Sequence, residues 1–111
     1  MSWYKTAKNK GDCFVVSGRY VSSEGIKNQN LTLVHALIRP RMGRLAGVEY
    51  WHAWVEDGNK VIDLSEGKTG EKSEFPKDFY YALADPQQIH RYSYEETSER
   101  TLAEKNWGPW V

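Results

Sequence analysis

Runs of apolar residues divide the chain into segments whose spacing predicts helices and strands. Residues 13–22 are apolar at mixed one-, three- and four-residue spacings and follow Gly11-Asp12, which can begin a helix with Asp12 as its N-cap. The β-branched residues leave a strand as the competing interpretation of this segment. Residues 31–39, LTLVHALIR, are almost continuously apolar and end at Pro40, which predicts a buried central strand.

The sequence YWHAWVEDGNKVIDLS, which begins at residue 50, predicts a β-hairpin. Its two β-favouring runs are joined by Asp57-Gly58, and Asp-Gly tolerates the positive φ that a two-residue type I′ loop requires. This loop would place His52 directly opposite Asp63, with Cβ atoms about 4.5–5.5 Å apart. Sliding the loop by one residue would instead place His52 opposite Ser65. The proximity of the histidine and the aspartate therefore depends on the register.

Turn residues and caps predict the remaining elements. In chain order these are a loop at 22–30, an exposed turn at 41–47, a polar surface loop at 65–73, a short helix at 75–84 with a proline in its first turn, a strand at 88–94, a helix at 94–105 and an aromatic tail at 107–110. Ser93 and Glu96 match the capping-box pattern at the start of the last helix. The whole predicts one α+β domain over residues 1–111, with a small, mostly antiparallel sheet packed against an N-terminal cysteine-bearing helix and two further helices.

The balance of charge argues against nucleic acid and membrane surfaces as partners. Fifteen basic and fifteen acidic side chains cancel at pH 7, so the chain carries no strong basic field. Because no stretch approaches the ~18 apolar residues of a membrane span and the N-terminus does not resemble a signal peptide, we expect a cytoplasmic protein. The single cysteine, Cys13, excludes an internal disulfide and a multi-cysteine metal cluster, and it indicates a reducing compartment.

Three residues form a possible nucleophilic site. Cys13 is expected at a helix N-terminus, where the helix dipole and a neighbouring histidine both favour the reactive thiolate. His52 can accept the thiol proton and later donate it to a leaving group. Asp63 can fix the tautomer and the orientation of the imidazole. In chain order this is a Cys, His, Asp arrangement.

The motifs GDCF, HAWVE and VID around these three residues resemble those of the papain-like and transglutaminase-like cysteine hydrolase superfamily. The resemblance covers roughly the first 60% of the chain, and the HAWVE and VID motifs are its more specific part. It implies a papain-like core, in which a helix-borne cysteine packs against a small antiparallel sheet that carries the histidine and the aspartate. It also implies that Cys13 is the nucleophile, His52 the general base and acid, and Asp63 the residue that orients His52.

Two further residues are candidates for this site. Papain-type enzymes carry an oxyanion-hole glutamine shortly before the nucleophile, but the first glutamine here is Gln29. Asn9 is therefore the candidate side-chain donor to the oxyanion, with the backbone N–H of Cys13 as the second donor. Trp54 lies on the predicted face of His52 and is the candidate for binding the substrate and shielding the site from water.

The predicted function is a small cysteine hydrolase or acyltransferase of the peptidase, amidase or isopeptidase type. Its substrate would be a protein, a peptide or another amide or thioester, and we expect it to need no cofactor and no metal ion. The alternative is a non-catalytic module of the same fold, with a binding or inhibitory role, which recognises a protein partner. That alternative is open because a lone cysteine commonly behaves as a buried small hydrophobic residue.

The other polar residues have simpler interpretations. His35 shares a face with leucines of its strand and is expected to be a hydrogen-bonded core residue, whereas His90 is expected at the surface. Glu56 and Asp57 are expected to be exposed hairpin residues. A zinc site is chemically possible, although no close-spaced ligand pair supports it. Its ligands would be Cys13, His35, His52 and Asp63.

Overall fold

An antiparallel sheet organises the part of the chain that the computed structural model describes, residues 12–64 and 73–110. In this part the elements are α1 (Asp12–Glu24), β1 (Leu31–Ile38), β2 (Tyr50–Asp57), β3 (Lys60–Asp63), β4 (Ser73–Pro76), α2 (Lys77–Ala84), β5 (Pro86–Tyr92) and α3 (Tyr94–Glu104). The five strands lie in the order β4-β3-β2-β1-β5, and all neighbours are antiparallel. The predicted α+β class is confirmed.

Helices cover both faces of this sheet. The first face packs against α1, α3 and the tail through a cluster that includes Val16 of α1, Leu33 of β1 and Trp110. The second face packs against α2 through a cluster that includes Trp54 of β2 and Ala84 of α2. Alternation along β1 and β2 supplies both clusters, because successive strand residues point to opposite faces. None of the described helices is long and apolar enough to cross a membrane.

The predicted register of the hairpin is wrong by one step. Asp57 pairs with Lys60 and Val55 with Ile62, so Gly58 and the residue after it form the loop. Gly58 has a φ of 61°, and the next residue does not have a positive φ, which is the pattern of a type II′ loop rather than the predicted type I′ loop. The sequence Asp-Gly-Asn permits both loops, and the glycine fits the single position that needs positive φ in the second.

The start of the second predicted helix also differs from the structure. Ser73–Pro76 form the edge strand β4, which pairs with β3, and α2 begins only at Lys77. Pro76 is extended, with φ −58° and ψ 139°, and is the N-cap of α2 rather than a residue of its first turn. An edge strand tolerates proline because one side of its backbone needs no ladder hydrogen bond. Apart from Ser73, the predicted loop at 65–73 lies outside the described residues.

Both ends of the described chain follow the sequence prediction more closely. α1 extends two residues beyond its predicted end, to Glu24. The capping box of α3 is confirmed: Glu96 N–H donates to the Ser93 side chain, and the Glu96 side chain accepts from Ser93 N–H. Trp110 folds back into the first-face core, and its indole N–H donates to the backbone carbonyl of Asn106.

His35 is buried without the hydrogen bond that its sequence context predicts. Its ring is wholly buried against the rings of Phe14, Tyr92 and Trp110, and neither nitrogen has a hydrogen-bond partner among the described residues. Burial, followed by the nearby charge of His90, lowers the pKa of His35 to about 4. The neutral imidazole therefore acts as a core aromatic residue.

We predict that His35→Leu removes part of the acid sensitivity of the fold. Between pH 6.5 and about 4 the unfolded chain binds a proton at His35 and the folded chain does not, so the stability of the wild type falls as the pH falls through this range. Chemical denaturation should show a stability advantage of the variant that grows by up to about 3 kcal/mol from pH 7 to pH 4. An advantage that is the same at both pH values would contradict this account.

Candidate active site

Cys13 lies in the first turn of α1, against the first face of the sheet. It is 3% exposed and forms a small cluster with Phe14 and Ala53, on which Trp51 and Trp107 pack. The first backbone N–H groups of a helix have no partner within the helix and carry the positive end of its dipole. The Cys13 sulfur therefore lies near the positive end of the α1 dipole.

His52 and Asp63 meet on the second face of the sheet. His52 Nε2 lies 3.3 Å from Asp63 Oδ2, and the two side chains are 13% and 3% exposed. In the observed register they are diagonal neighbours rather than directly opposed residues. Relative to the predicted pairing, the observed pairing moves the partner of each β2 residue by two positions along β3. A shift of two positions keeps both side chains on the same face of the sheet, and diagonal neighbours remain within reach of long side chains.

His52 is hydrogen-bonded to Cys13 as well as to Asp63. Cys13 packs on the first face of the sheet, whereas His52 lies on the second. The described pairing between β2 and β3 ends at Val55 and Ile62. His52 comes before Val55 in β2, so no described β3 residue pairs beside it and separates its side chain from Cys13. Since Asp63 occupies Nε2, the nitrogen available to the thiol is Nδ1. The structure thus brings the three predicted residues into one hydrogen-bonded series.

The electrostatics of this series favour a protonated imidazole. Burial has the largest single effect and lowers the pKa of His52, but the hydrogen bonds to Asp63 and Cys13 and the charges of these two groups outweigh it and raise the pKa to about 10. The charged imidazolium of His52 therefore lies between the Asp63 carboxylate and the Cys13 sulfur.

Tyr80 of α2 holds the carboxylate from the other side. Its hydroxyl donates to Asp63 Oδ2 at 2.5 Å, which is the same oxygen that His52 approaches. Tyr80 also packs edge-on against Trp54, with ring centroids 5.0 Å apart. Sequence reasoning missed this residue, because the contact joins α2 to β3 and no local spacing indicates it.

Trp54 supports the imidazole from within the core. Its ring centroid lies 6.0 Å from that of His52, so it packs against the site on the predicted face. However, Trp54 is wholly buried and its indole N–H donates to Glu56 Oε2, so in this structure its surface is closed to a substrate. Trp54 can exclude water from the imidazole, but it does not line the surface pocket that opens beside His52.

The interpretation of Glu56 as an exposed hairpin residue is wrong. Its side chain is buried on the face of Trp54 and accepts hydrogen bonds from Trp54, Tyr81 and Arg91, with Lys77 Nζ at 3.3 Å. Burial would raise the pKa of Glu56, but these hydrogen bonds and cations outweigh it and lower the pKa. The sequence signal for its burial was its position two residues after Trp54, which places both side chains on the same face of the strand. The adjacent turn residues indicated an exposed position instead.

The other predicted site residues either lie away from His52 and Asp63 or fall outside the described residues. His35 faces the first-face core, away from His52 and Asp63, so the alternative zinc ligand set is not assembled. No group of three His, Cys, Asp or Glu side chains in the described ranges is placed to hold a metal ion. Asn9, the oxyanion candidate, lies outside the described residues.

Comparisons with other proteins add nothing to this geometry. No protein-family model, no curated protein and no solved structure matches the chain.

We predict that Asp63→Asn lowers the pKa of His52 by at least about one unit, because it removes a charge and a charge-assisted hydrogen bond from the imidazole. The measurement is the NMR titration of the His52 ring in wild type and variant. Asp57→Asn, which removes the same charge from the same hairpin, should leave the His52 titration unchanged. Equal shifts in the two variants would show that Asp63 acts only through the net charge of the protein.

The interaction between His52 and Asp63 stabilises the fold only up to an alkaline pH. Because the pKa of His52 is raised above its usual 6.5, the contribution to stability is complete below pH 6.5 and is lost as the pH rises through about 10. Asp63→Asn should therefore cost more stability at pH 6 than at pH 10 in chemical denaturation experiments. A cost that grows with pH would contradict the sign of the shift.

Proposed function

We propose that this protein is a small cysteine hydrolase or acyltransferase of the papain-like or transglutaminase-like type, which acts on an amide, peptide, isopeptide or thioester bond. The observation that carries the proposal is the hydrogen-bonded series Cys13, His52, Asp63, with the sulfur at a helix N-terminus. The residue order, the helix-borne cysteine and the antiparallel strands that carry the other two residues support the papain-like class.

In the proposed first step the thiol proton of Cys13 resides on His52, and the sulfur attacks the substrate carbonyl. The new C–S bond produces a tetrahedral oxyanion, for which the backbone N–H of Cys13 and the Asn9 side chain are the proposed donors. The imidazolium of His52 then gives its proton to the leaving amine or thiol as the bond to that group breaks. The product of this step is a thioester on Cys13.

In the second step water or an amine attacks the thioester, and His52 takes the proton of the attacking group and returns it to the sulfur. Hydrolysis and acyl transfer differ only in which nucleophile arrives. Asp63 keeps Nε2 protonated and Nδ1 directed at the sulfur throughout both steps. The chemistry needs no cofactor, and a peptide or protein substrate in the cytoplasm stays the prediction of the sequence.

One observation favours the alternative, a non-catalytic binding or inhibitory module. Cys13 is 3% exposed, and a cysteine that is buried among aromatic and small apolar side chains is commonly inert. In that case the series of three residues would hold α1 to the sheet, and the protein would act through a surface that recognises a protein partner.

We expect native Cys13 to be alkylated by iodoacetamide at pH 7, and we expect His52→Ala to slow the reaction at least about 10-fold, because the imidazolium that holds the thiolate is lost. Intact-mass spectrometry over time measures the rate, and Cys13→Ser shows that the label is on this sulfur. His90→Ala removes a histidine that is exposed and lies in another strand, so it should react at the wild-type rate.

A native protein that reacts only after denaturation would overturn the catalytic proposal in favour of the binding module. Equal rates in wild type and His52→Ala would show that the thiol is accessible but not activated, which also contradicts the proposal. Far-UV circular dichroism of each variant separates loss of activation from loss of fold.

A further inference from the structure

A pocket of about 230 Å³ opens on the second face, directly beside the candidate catalytic pair. Its walls come from α2, β4, the ends of β1 and β2, and the connection that follows β1, and its inner wall carries His52 and Asp63. Cys13 is hydrogen-bonded to His52 from the other side. A group that fills the pocket is therefore next to the imidazole that serves the sulfur.

The lining of the pocket indicates an uncharged occupant. Apart from His52 and Asp63, every described lining residue is apolar or aromatic, and no lysine or arginine is among them. Asp63 is already engaged by His52 and by the Tyr80 hydroxyl, so its carboxylate is satisfied without a ligand. A charged side chain in this pocket would lose its hydration, and the two charged groups of the lining, His52 and Asp63, already pair with each other.

The rim of the pocket is apolar and exposed. Met42 is 64% exposed and Phe79 is 52% exposed, whereas Ile38 and Ala84 at the base are buried. Large apolar side chains left open to water around a concave apolar site are a common feature of ligand-binding grooves. They would be covered when a substrate chain lies across the rim.

The volume limits the size of the occupant. An apolar cavity of about 150 Å³ is known to admit benzene, so a pocket of this size has room for one large side chain. It is smaller than the ~300 Å³ at which pockets for drug-sized ligands begin, so its size fits one side chain rather than an extended ligand.

We propose that this pocket is the specificity site of the enzyme and that it binds one uncharged apolar side chain, aliphatic or with a single aromatic ring, on the acyl side of the bond that Cys13 attacks. The inference rests on the proposed function, since it names the substrate class of the same site. It adds that the substrate is a peptide or acyl chain with an apolar group close to the reacting carbonyl.

The test uses N-acetyl aminoacyl chloromethyl ketones of leucine, phenylalanine, glycine and aspartate. Each reacts with Cys13 by displacement, in which a C–S bond forms at the methylene carbon and chloride leaves. We expect the leucine and phenylalanine reagents to react at least about 10-fold faster than the glycine and aspartate reagents, because small differences in apolar contact give selectivities of this order. Rates are normalised to that of iodoacetamide.

Two exposed residues of one connection provide a matched pair of variants. Met42→Glu puts a carboxylate on the rim and should bring the leucine-to-glycine rate ratio close to one. Val48→Glu makes a similar change at an exposed residue, 48% accessible, which is not among the pocket's lining residues, and it should keep the wild-type ratio. Equal rates for leucine and glycine reagents in the wild type, or equal losses in the two variants, would overturn the proposal.

A binding measurement keeps this inference separate from the proposed function. If iodoacetamide fails to label native Cys13, the catalytic proposal fails, and N-acetyl-leucinamide is then titrated into isotope-labelled protein. Saturable NMR shifts at Phe79 and Tyr80 that disappear in Met42→Glu and persist in Val48→Glu would support an apolar ligand site without catalysis. The absence of such shifts would overturn the pocket inference as well.

Discussion

A single carboxylate oxygen, Asp63 Oδ2, connects the parts of the molecule on which the proposed chemistry depends. It faces the imidazole of His52 and accepts a hydrogen bond from Tyr80, so it joins β2, β3 and α2. Because His52 also reaches Cys13 in α1, the series continues to the other side of the sheet. A buried carboxylate needs such donors, because its charge has lost the hydration of water. This oxygen therefore links a wall of the pocket, the imidazole and, through the imidazole, the sulfur.

Local signals in the sequence predicted the parts of the fold that depend on local physics. Three elements could be predicted from residues that are close together in the sequence. They are β1 from its apolar run, α1 from its apolar spacing and α3 from its capping box. The register of the hairpin could not be predicted, because Gly58 permits two loops and only tertiary pairing selects one. β4 was missed for a related reason, since its four residues are a strand only by virtue of pairing with β3.

The candidate site shows the same division. Cys13, His52 and Asp63 could be named from their types and order, and the parity of the strand kept the pair on one face although the register was wrong. Tyr80 and the burial of Glu56 depend on how α2 lies over the second face, which no sequence spacing reveals. Glu56 and His35 are both buried polar groups in neighbouring strands, but only Glu56 has partners among the described residues. Residue type alone does not distinguish these two outcomes.

The return of Trp110 into the first-face core has a consequence for synthesis of the chain. Trp110 shares its cluster with Val16 of α1 and Leu33 of β1, which leave the ribosome long before it. Until residue 110 has emerged, this side of the core is open, and the apolar surface of α1 has no complete cover. Cys13, in the first turn of this helix, belongs to a cluster on which Trp107 packs, and Trp107 is also synthesised late, so the nascent chain exposes the sulfur more fully than the finished fold does. Its oxidation or capture by other molecules is therefore a hazard that begins during synthesis, before the native site has formed.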